Sequence, residues 1–319
     1  MAGIMMTAMA ANRPVDTPAN VLYSFSNFLF TSANTSGNTG PNLSTATSYY
    51  TGNSFYNGNT WINNSSYYNV TNGIQYWTVP VSGQYTITAA GASGGLDVGL
   101  GARLTSTVSL TGGEIIRIAV GQRGGNVNTF YGSGGGGTFV VRTPFNTNAS
   151  IIMIAGGGGG KNSTGSTVNA GGQSGLAPGQ VDSGVVATWG GGGGSSGANG
   201  GLNGAAGGNQ ATGGYPGGGG GFFGNGGYSG GGLVQVGGRS WVFGANGGPG
   251  YTGSESPGGF GGGGGGTARG AGGGGYNGGG AALNGSSGGG GGSYNTGSSM
   301  SNVANVNLGH GYVQVTYAG

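Results

Sequence analysis

The chain has 319 residues: 90 are glycine, 9 proline and none cysteine, and 8 Lys plus Arg stand against 5 Asp plus Glu. The missing cysteines exclude disulfides and thiolate metal sites, and a formal charge of +3 with no basic cluster leaves no electrostatic footprint for nucleic acid. No apolar run approaches the ~18 residues of a membrane-spanning helix, and the absence of a Gly-X-Y period excludes a collagen helix.

Residues 1–20 begin rich in Met and small residues and end in Arg13-Pro14 and Thr17-Pro18. They read either as an arm that docks on a partner or as a secretory signal, although the basic leading segment of such a signal is missing. From residue 21 the pattern is that of short strands. Tyr23 and Phe25 alternate with serine, and Tyr85, Ile87 and Ala89 alternate with threonine. Further strands are expected over 74–79, 102–110, 114–120, 138–142 and the continuous apolar run 151–155. Turn signals such as Pro80-Val81-Ser82-Gly83 and Thr111-Gly112-Gly113 separate them. Between them, residues 34–70 are rich in Asn, Ser, Thr and Tyr. They resemble the composition of binding loops, or form a long connection whose aromatics pack back on the sheet.

Residues 156–302 contain the longest glycine runs, 156–160, 190–194, 217–221, 261–266 and 288–292. Glycine resists ordering because it loses the most backbone freedom, and each glycine in a helix costs roughly 1 kcal/mol against alanine. Either this block is disordered or it folds through backbone hydrogen bonds alone. Low charge and aromatics punctuating the runs favour order. Polyglycine helices of the polyproline II type, with no Cβ between them, would bond neighbour to neighbour. After the block, residues 311–317 alternate again, with Val313, Val315 and Tyr317 on one side. About eight strands in all suit a sandwich. The expected organisation is an arm (1–20), a sandwich (21–155, closed by 303–319) and an inserted glycine block (156–302).

The segments Gly73-Ile74-Gln75-Tyr76-Trp77-Thr78-Val79-Pro80, Ser82-Gly83-Gln84-Tyr85-Thr86-Ile87 and Ala90-Gly91-Ala92-Ser93-Gly94-Gly95 begin a longer pattern. It continues through Gly113-Glu114-Ile115-Ile116, Val120-Gly121-Gln122-Arg123-Gly124-Gly125 and Ile154-Ala155-Gly156. Together these resemble the glycine-rich extracellular domain of anaplastic lymphoma kinase and leukocyte tyrosine kinase, which has counterparts in bacterial, viral and phage surface proteins. The resemblance implies an all-β, tumour-necrosis-factor-like jelly-roll sandwich with an inserted bundle of polyglycine II helices, and a homo-oligomer, a trimer. A looser, compositional resemblance is to phage tail-fibre adhesins. The chain departs from the receptor versions in having no cysteines.

Acid–base chemistry is sparse: His310, Asp16, Asp97, Asp182, Glu114 and Glu255 form no pair and no metal-ligand spacing. The run 156–160 before Lys161 fails the phosphate-loop pattern at Ala155 and Asn162. No catalytic, metal or cofactor-binding residues are expected. What remains is contact surface, with Phe222, Phe223, Tyr228, Arg239, Trp241 and Phe243 as the partner-contact candidates within the glycine block. The other reading of these side chains is that they seal the glycine array or dock it on the sandwich. The expected function is that of a non-enzymatic structural or adhesive protein at a virion surface, a tail-fibre or capsid-surface component. It would dock on other virion or surface proteins through its arm and contact a host glycan or surface protein. The alternatives are a secreted or cell-surface module that binds a protein ligand, and an architectural spacer.

Overall fold

In the computed structural model the alternating stretches become strands of two antiparallel sheets. The structure describes residues 20–56, 58–97, 99–126, 132–161, 200–208, 216–227, 236–250, 256–266, 269–282 and 287–319. In chain order the elements are β1 (Asn27–Phe30), α1 (Leu43–Gly52), β2 (Tyr68–Thr71), β3 (Ile74–Thr78), β4 (Gly83–Ala90), β5 (Gly101–Leu110), β6 (Ile115–Ala119), β7 (Thr138–Arg142), β8 (Ile151–Ala155), β9 (Tyr294–Asn295), β10 (Ser298–Asn307) and β11 (Tyr312–Tyr317). One sheet has the order β1-β11-β4-β5-β10 and the other β2-β3-β6-β7-β8-β9. The chain crosses from the second sheet to the first after β3, makes the β4–β5 hairpin, and returns as β6 beside β3. The result is an all-β sandwich with one short helix at its side.

The core follows from period-two alternation. Tyr85, Ile87 and Ala89 of β4 and Leu104 and Val108 of β5 face Trp77, Ile116, Ile118 and Val140 of the other sheet. Strands β7 and β8 do not alternate, because they are buried on both faces. Val140, Ile152, Met153 and Ala155 enter the sandwich core. Phe139, Val141, Ile151 and Ile154 enter a second cluster with Phe222, Trp241, Phe260 and Tyr276 from the glycine-rich segments. The outer face of the six-stranded sheet is therefore covered by the glycine block.

That block is held by its peptides. Gly134 donates its N–H to the carbonyl of Gly264 at 2.9 Å, Gly135 to Gly158 at 2.8 Å, Gly157 to Gly274 at 2.8 Å, Gly219 to Gly279 at 2.8 Å and Gly291 to Gly157 at 2.8 Å. Most of these bonds run between neighbouring segments, and a few, such as Gly263 to Gly259 and Gly279 to Gly273, close turns within one. The segments start at strand ends: 91–95 leave β4, 121–125 leave β6, 132–137 lead into β7 and 156–160 leave β8. The sandwich rim templates the array, as when Ala92 donates to Gly136 and Gln122 to Phe260, both through backbone N–H groups.

Several elements differ from the sequence reading. The first strand forms at Asn27–Phe30 instead of over residues 23–26. Phe28 and Phe30 reach the core there, while Tyr23 and Phe25 pack at its margin. The polar region 34–70 takes the second of its two expected forms, a long connection whose aromatics pack back on the sheet, but it is not a bare loop. It holds α1, capped where Asn42 Oδ1 accepts from Thr45 N–H at 2.8 Å. Its Tyr50, Tyr56, Trp61 and Tyr68 are buried in the sandwich core. β2 and β9 have no counterpart in the sequence reading, and the expected closing segment 303–319 splits into the end of β10 and β11.

Candidate binding surface

Two of the six expected contact residues are interior. Phe222 is 0% and Trp241 4% exposed, and their rings stack at 6.2 Å. Trp241 also stacks on Phe139 of β7 at 5.4 Å, and its indole N–H donates to the Phe145 carbonyl at 2.6 Å. Burial of large apolar rings against the sheet outweighs their display, so this pair docks the glycine array on the sandwich. Tyr228 lies outside the described residues. Phe223, Arg239 and Phe243 are at the surface, with Phe243 the most open ring at 64% exposure.

The display of Phe243 follows from its short helix. Trp241–Phe243 form one 3₁₀ turn that ends at Gly244 in the left-handed region, φ 98°. With three residues per turn, anchoring Trp241 inward turns Phe243 outward. Beside it lies a groove of about 520 Å³ at the junction of the sandwich and the glycine array. One wall is the loop at Thr39 and Asn42, the second the β2–β3 turn at Asn72-Gly73, the third the array turn at Phe243 and Asn246. The backbone holds these walls together: Gly247 donates to the Asn38 carbonyl at 2.9 Å and Phe260 to the Gly37 carbonyl at 2.8 Å. Gly40 and Gly73 pass so closely that a Cβ on Gly40 would lie 2.6 Å from the Gly73 Cα. Asn42 uses its Oδ1 as the α1 cap, and its NH₂ has no hydrogen-bond partner among the described residues. The carboxamides of Asn72 and Asn246 have no hydrogen-bond partner among the described residues, and no charged side chain lines the groove.

The fold also assembles titratable groups that are far apart in sequence. Arg123 pairs with Asp97 in a two-pronged bridge, Nε to Oδ1 and Nη2 to Oδ2, both at 2.7 Å. Ser93 Oγ donates to Asp97 Oδ1 at 2.8 Å and accepts from Gly309 N–H at 3.0 Å. The Arg123 backbone N–H donates to His310 Nδ1 at 3.1 Å, which places the imidazole proton on Nε2. Burial, and then the Arg123 charge, push the His310 pKa below its ordinary value. The residues reach one place because the β4, β6 and β11 ends meet at the rim. Among the described residues Ser93 makes no hydrogen bond to His310, and the two are linked only through Asp97 and Arg123, so the group lacks the nucleophile–base contact of acyl-transfer chemistry. It clamps the loops at 93–97 and 121–125 onto the turn at Gly309–Gly311. Elsewhere, Arg142 Nε lies 3.3 Å from Glu114 Oε1. Among the described residues there is no group of three or more His, Asp or Glu side chains able to hold a metal.

Sequence reasoning missed the groove's amides and the His310 clamp. The signals were present: an Asn-Gly turn between β-prone runs at Asn72-Gly73, and short glycine-flanked polar residues at the strand ends. No helix among the described residues is long and apolar enough to cross a membrane. No protein-family model and no curated protein matches this chain.

Proposed function

We propose that this chain is a non-enzymatic structural and adhesive protein of a virion surface, a tail-fibre or capsid-surface component that contacts a host receptor. In this reading it belongs with the glycine-rich domains, its sandwich is a jelly roll of the tumour-necrosis-factor type, and its glycine array is a polyglycine II bundle. The observation that carries the adhesive role is Phe243. An open aromatic ring is held on a turn whose backbone is bonded on all sides, beside a groove without charge. A backbone held in place in advance lowers the ordering cost of binding, which is how recognition surfaces gain affinity. The clamp at Asp97, Arg123 and His310 supports the same reading, since its polar groups are spent on one another.

The experiment is attachment of the purified full-length chain to host cells, alongside mass spectrometry of purified particles. The expected result is surface labelling that falls in the double variant Phe223→Ser with Phe243→Ser, with melting unchanged, and peptides of the chain recovered from particles. Labelling that persists in the variant removes Phe223 and Phe243 from adhesion. Particles without the chain remove the virion setting.

A further inference from the structure

We propose that the groove beside Phe243 is a binding site for an uncharged saccharide. The proposal rests on the adhesive reading for its biological setting, while the site itself rests on the chemistry of the groove walls. Five side chains carry it: Thr39, Asn42, Asn72, Phe243 and Asn246.

The lining first selects for charge. No Lys, Arg, His, Asp or Glu side chain lines the groove. An anionic ligand would find no guanidinium or ammonium to replace its water, and a cation no carboxylate, so desolvating either is not offset. Arg239 is tied to the array by its backbone N–H, which donates to the Asn246 carbonyl at 2.7 Å, and its side chain is not part of the lining.

The polar groups then select for hydroxyls. A carboxamide offers two donors and an acceptor side by side, which matches the paired donor and acceptor of adjacent sugar hydroxyls. Among the described residues Asn72 and Asn246 present whole, unengaged carboxamides, and Asn42 an unengaged NH₂. The three come from positions separated by the helix cap, the hairpin turn and the glycine array. Their convergence is a product of the fold and not of local sequence.

The ring supplies the remaining element. Phe243 has no hydroxyl and is 64% exposed at the groove margin. Its face can take the C–H face of a pyranose, leaving the sugar's equatorial hydroxyls for the amides. The volume of about 520 Å³ lies within the range of small-ligand clefts. The walls are held by backbone bonds from Gly247 to Asn38 and from Phe260 to Gly37, so the site does not have to be ordered by its ligand.

The test is a glycan array probed with the full-length chain, carrying neutral, sialylated and sulfated glycans, followed by calorimetric titration of the best neutral hit. The expected result is binding to neutral glycans, weakened about ten-fold or more by Phe243→Ala and by Asn72→Ala, and retained by Phe243→Trp and Phe223→Ala. The three phenylalanine variants should melt as the parent does, while Asn72→Ala, in a turn at φ 51°, should melt lower than the parent and stay folded. Binding confined to acidic glycans, or unaffected by Phe243→Ala and Asn72→Ala, overturns the proposal. A chain that attaches to cells yet binds no glycan also overturns it, and leaves adhesion standing with a protein receptor. A chain that binds neither removes both readings.

Discussion

A methyl group placed on Gly136 would stand 1.7 Å from the carbonyl oxygen of Phe260. The neighbouring Gly137 N–H donates to Gly261 at 2.8 Å, so the two segments cannot part without losing the bonds that join them. Overpacking a well-filled core costs roughly 1–3 kcal/mol where side chains can adjust. Here the obstacle is backbone, so Gly136→Ala is expected to cost at least about 3 kcal/mol. Gly263→Val should act alike, since its Cβ would lie 2.2 Å from the Gly134 carbonyl. Gly52, at the end of α1 with open space around it, is the control. Gly52→Ala should be neutral or stabilising by up to ~1 kcal/mol. Thermal melts of the three variants check this. An unchanged melting temperature for Gly263→Val would sink the packed-array account.

Gln75 governs the other side of the sandwich. It is fully buried on β3, where Oε1 accepts from the Tyr50 and Tyr68 hydroxyls, both at 2.9 Å, and Nε2 donates to the Thr31 carbonyl at 2.9 Å. Gln75→Leu keeps the volume and removes the acceptor of both hydroxyls: Tyr68 is left without a partner, while Tyr50 keeps its bonds with the Thr31 N–H and carbonyl. An orphaned buried group costs about 1–3 kcal/mol, so a loss in that range is expected. Urea denaturation measures it. A loss below about 1 kcal/mol would mean that water replaces the side chain.

These two residues show what the sequence made legible. Alternation marked β3 to β6 and β11 because each has one face in the sandwich core. The apolar run of β8 stood out because both of its faces are covered. Nothing in the sequence around Ser298–Asn307 alternates, since β10 is an edge strand with most residues exposed, held by pairing with β5 alone. The helix α1 was hidden because Ser, Thr and Tyr carry weak helical preference, and only Ala46 and Tyr50, one turn apart, face the core. Asn72 and Gly73, both at positive φ, form the two-residue hairpin turn that this dipeptide favours. Their surroundings of Asn, Ser and Thr masked that signal. The groove was less legible still, because its Asn42, Asn72 and Asn246 are ordinary polar residues until the glycine array brings the third beside the other two.

The pH dependence has two arms. His310 has its pKa lowered from 6.5 by burial and by Arg123, and protonation would also forfeit Nδ1 as the acceptor for the Arg123 N–H. Between 6.5 and the lowered value the unfolded chain holds the extra proton, so stability falls as pH drops through that window. On the alkaline side, burial pushes Tyr85 up to about 12, and Tyr50 and Tyr68 further. Below pH 10 that stability is complete. Above it the unfolded chain ionises first, and stability falls as pH rises through about 12 and beyond. Denaturant midpoints across pH should form a plateau with both shoulders, and His310→Gln should remove the acid-side dependence that His310 contributes. Retention of the full acid shoulder in that variant would assign it to other groups.

Trp241 and Phe243 sit two residues apart on one 3₁₀ turn and should respond in opposite ways. Phe243→Ala removes an exposed ring and is expected to change stability by no more than about 0.5 kcal/mol. Trp241→Phe leaves the Phe145 carbonyl without its indole donor, a loss of about 1–2 kcal/mol. Trp241→Ala also opens a cavity between Phe139 and Phe222, for about 3–5 kcal/mol. Because the indole fastens the glycine array to β7, the loss should be local. In hydrogen exchange of Trp241→Ala, amides at 217–221 and 258–266 should lose protection while those of the β4–β5 hairpin keep theirs. Equal loss across both regions would mean that array and sandwich unfold as one unit, and that Trp241 is an ordinary core residue, not the fastening between them.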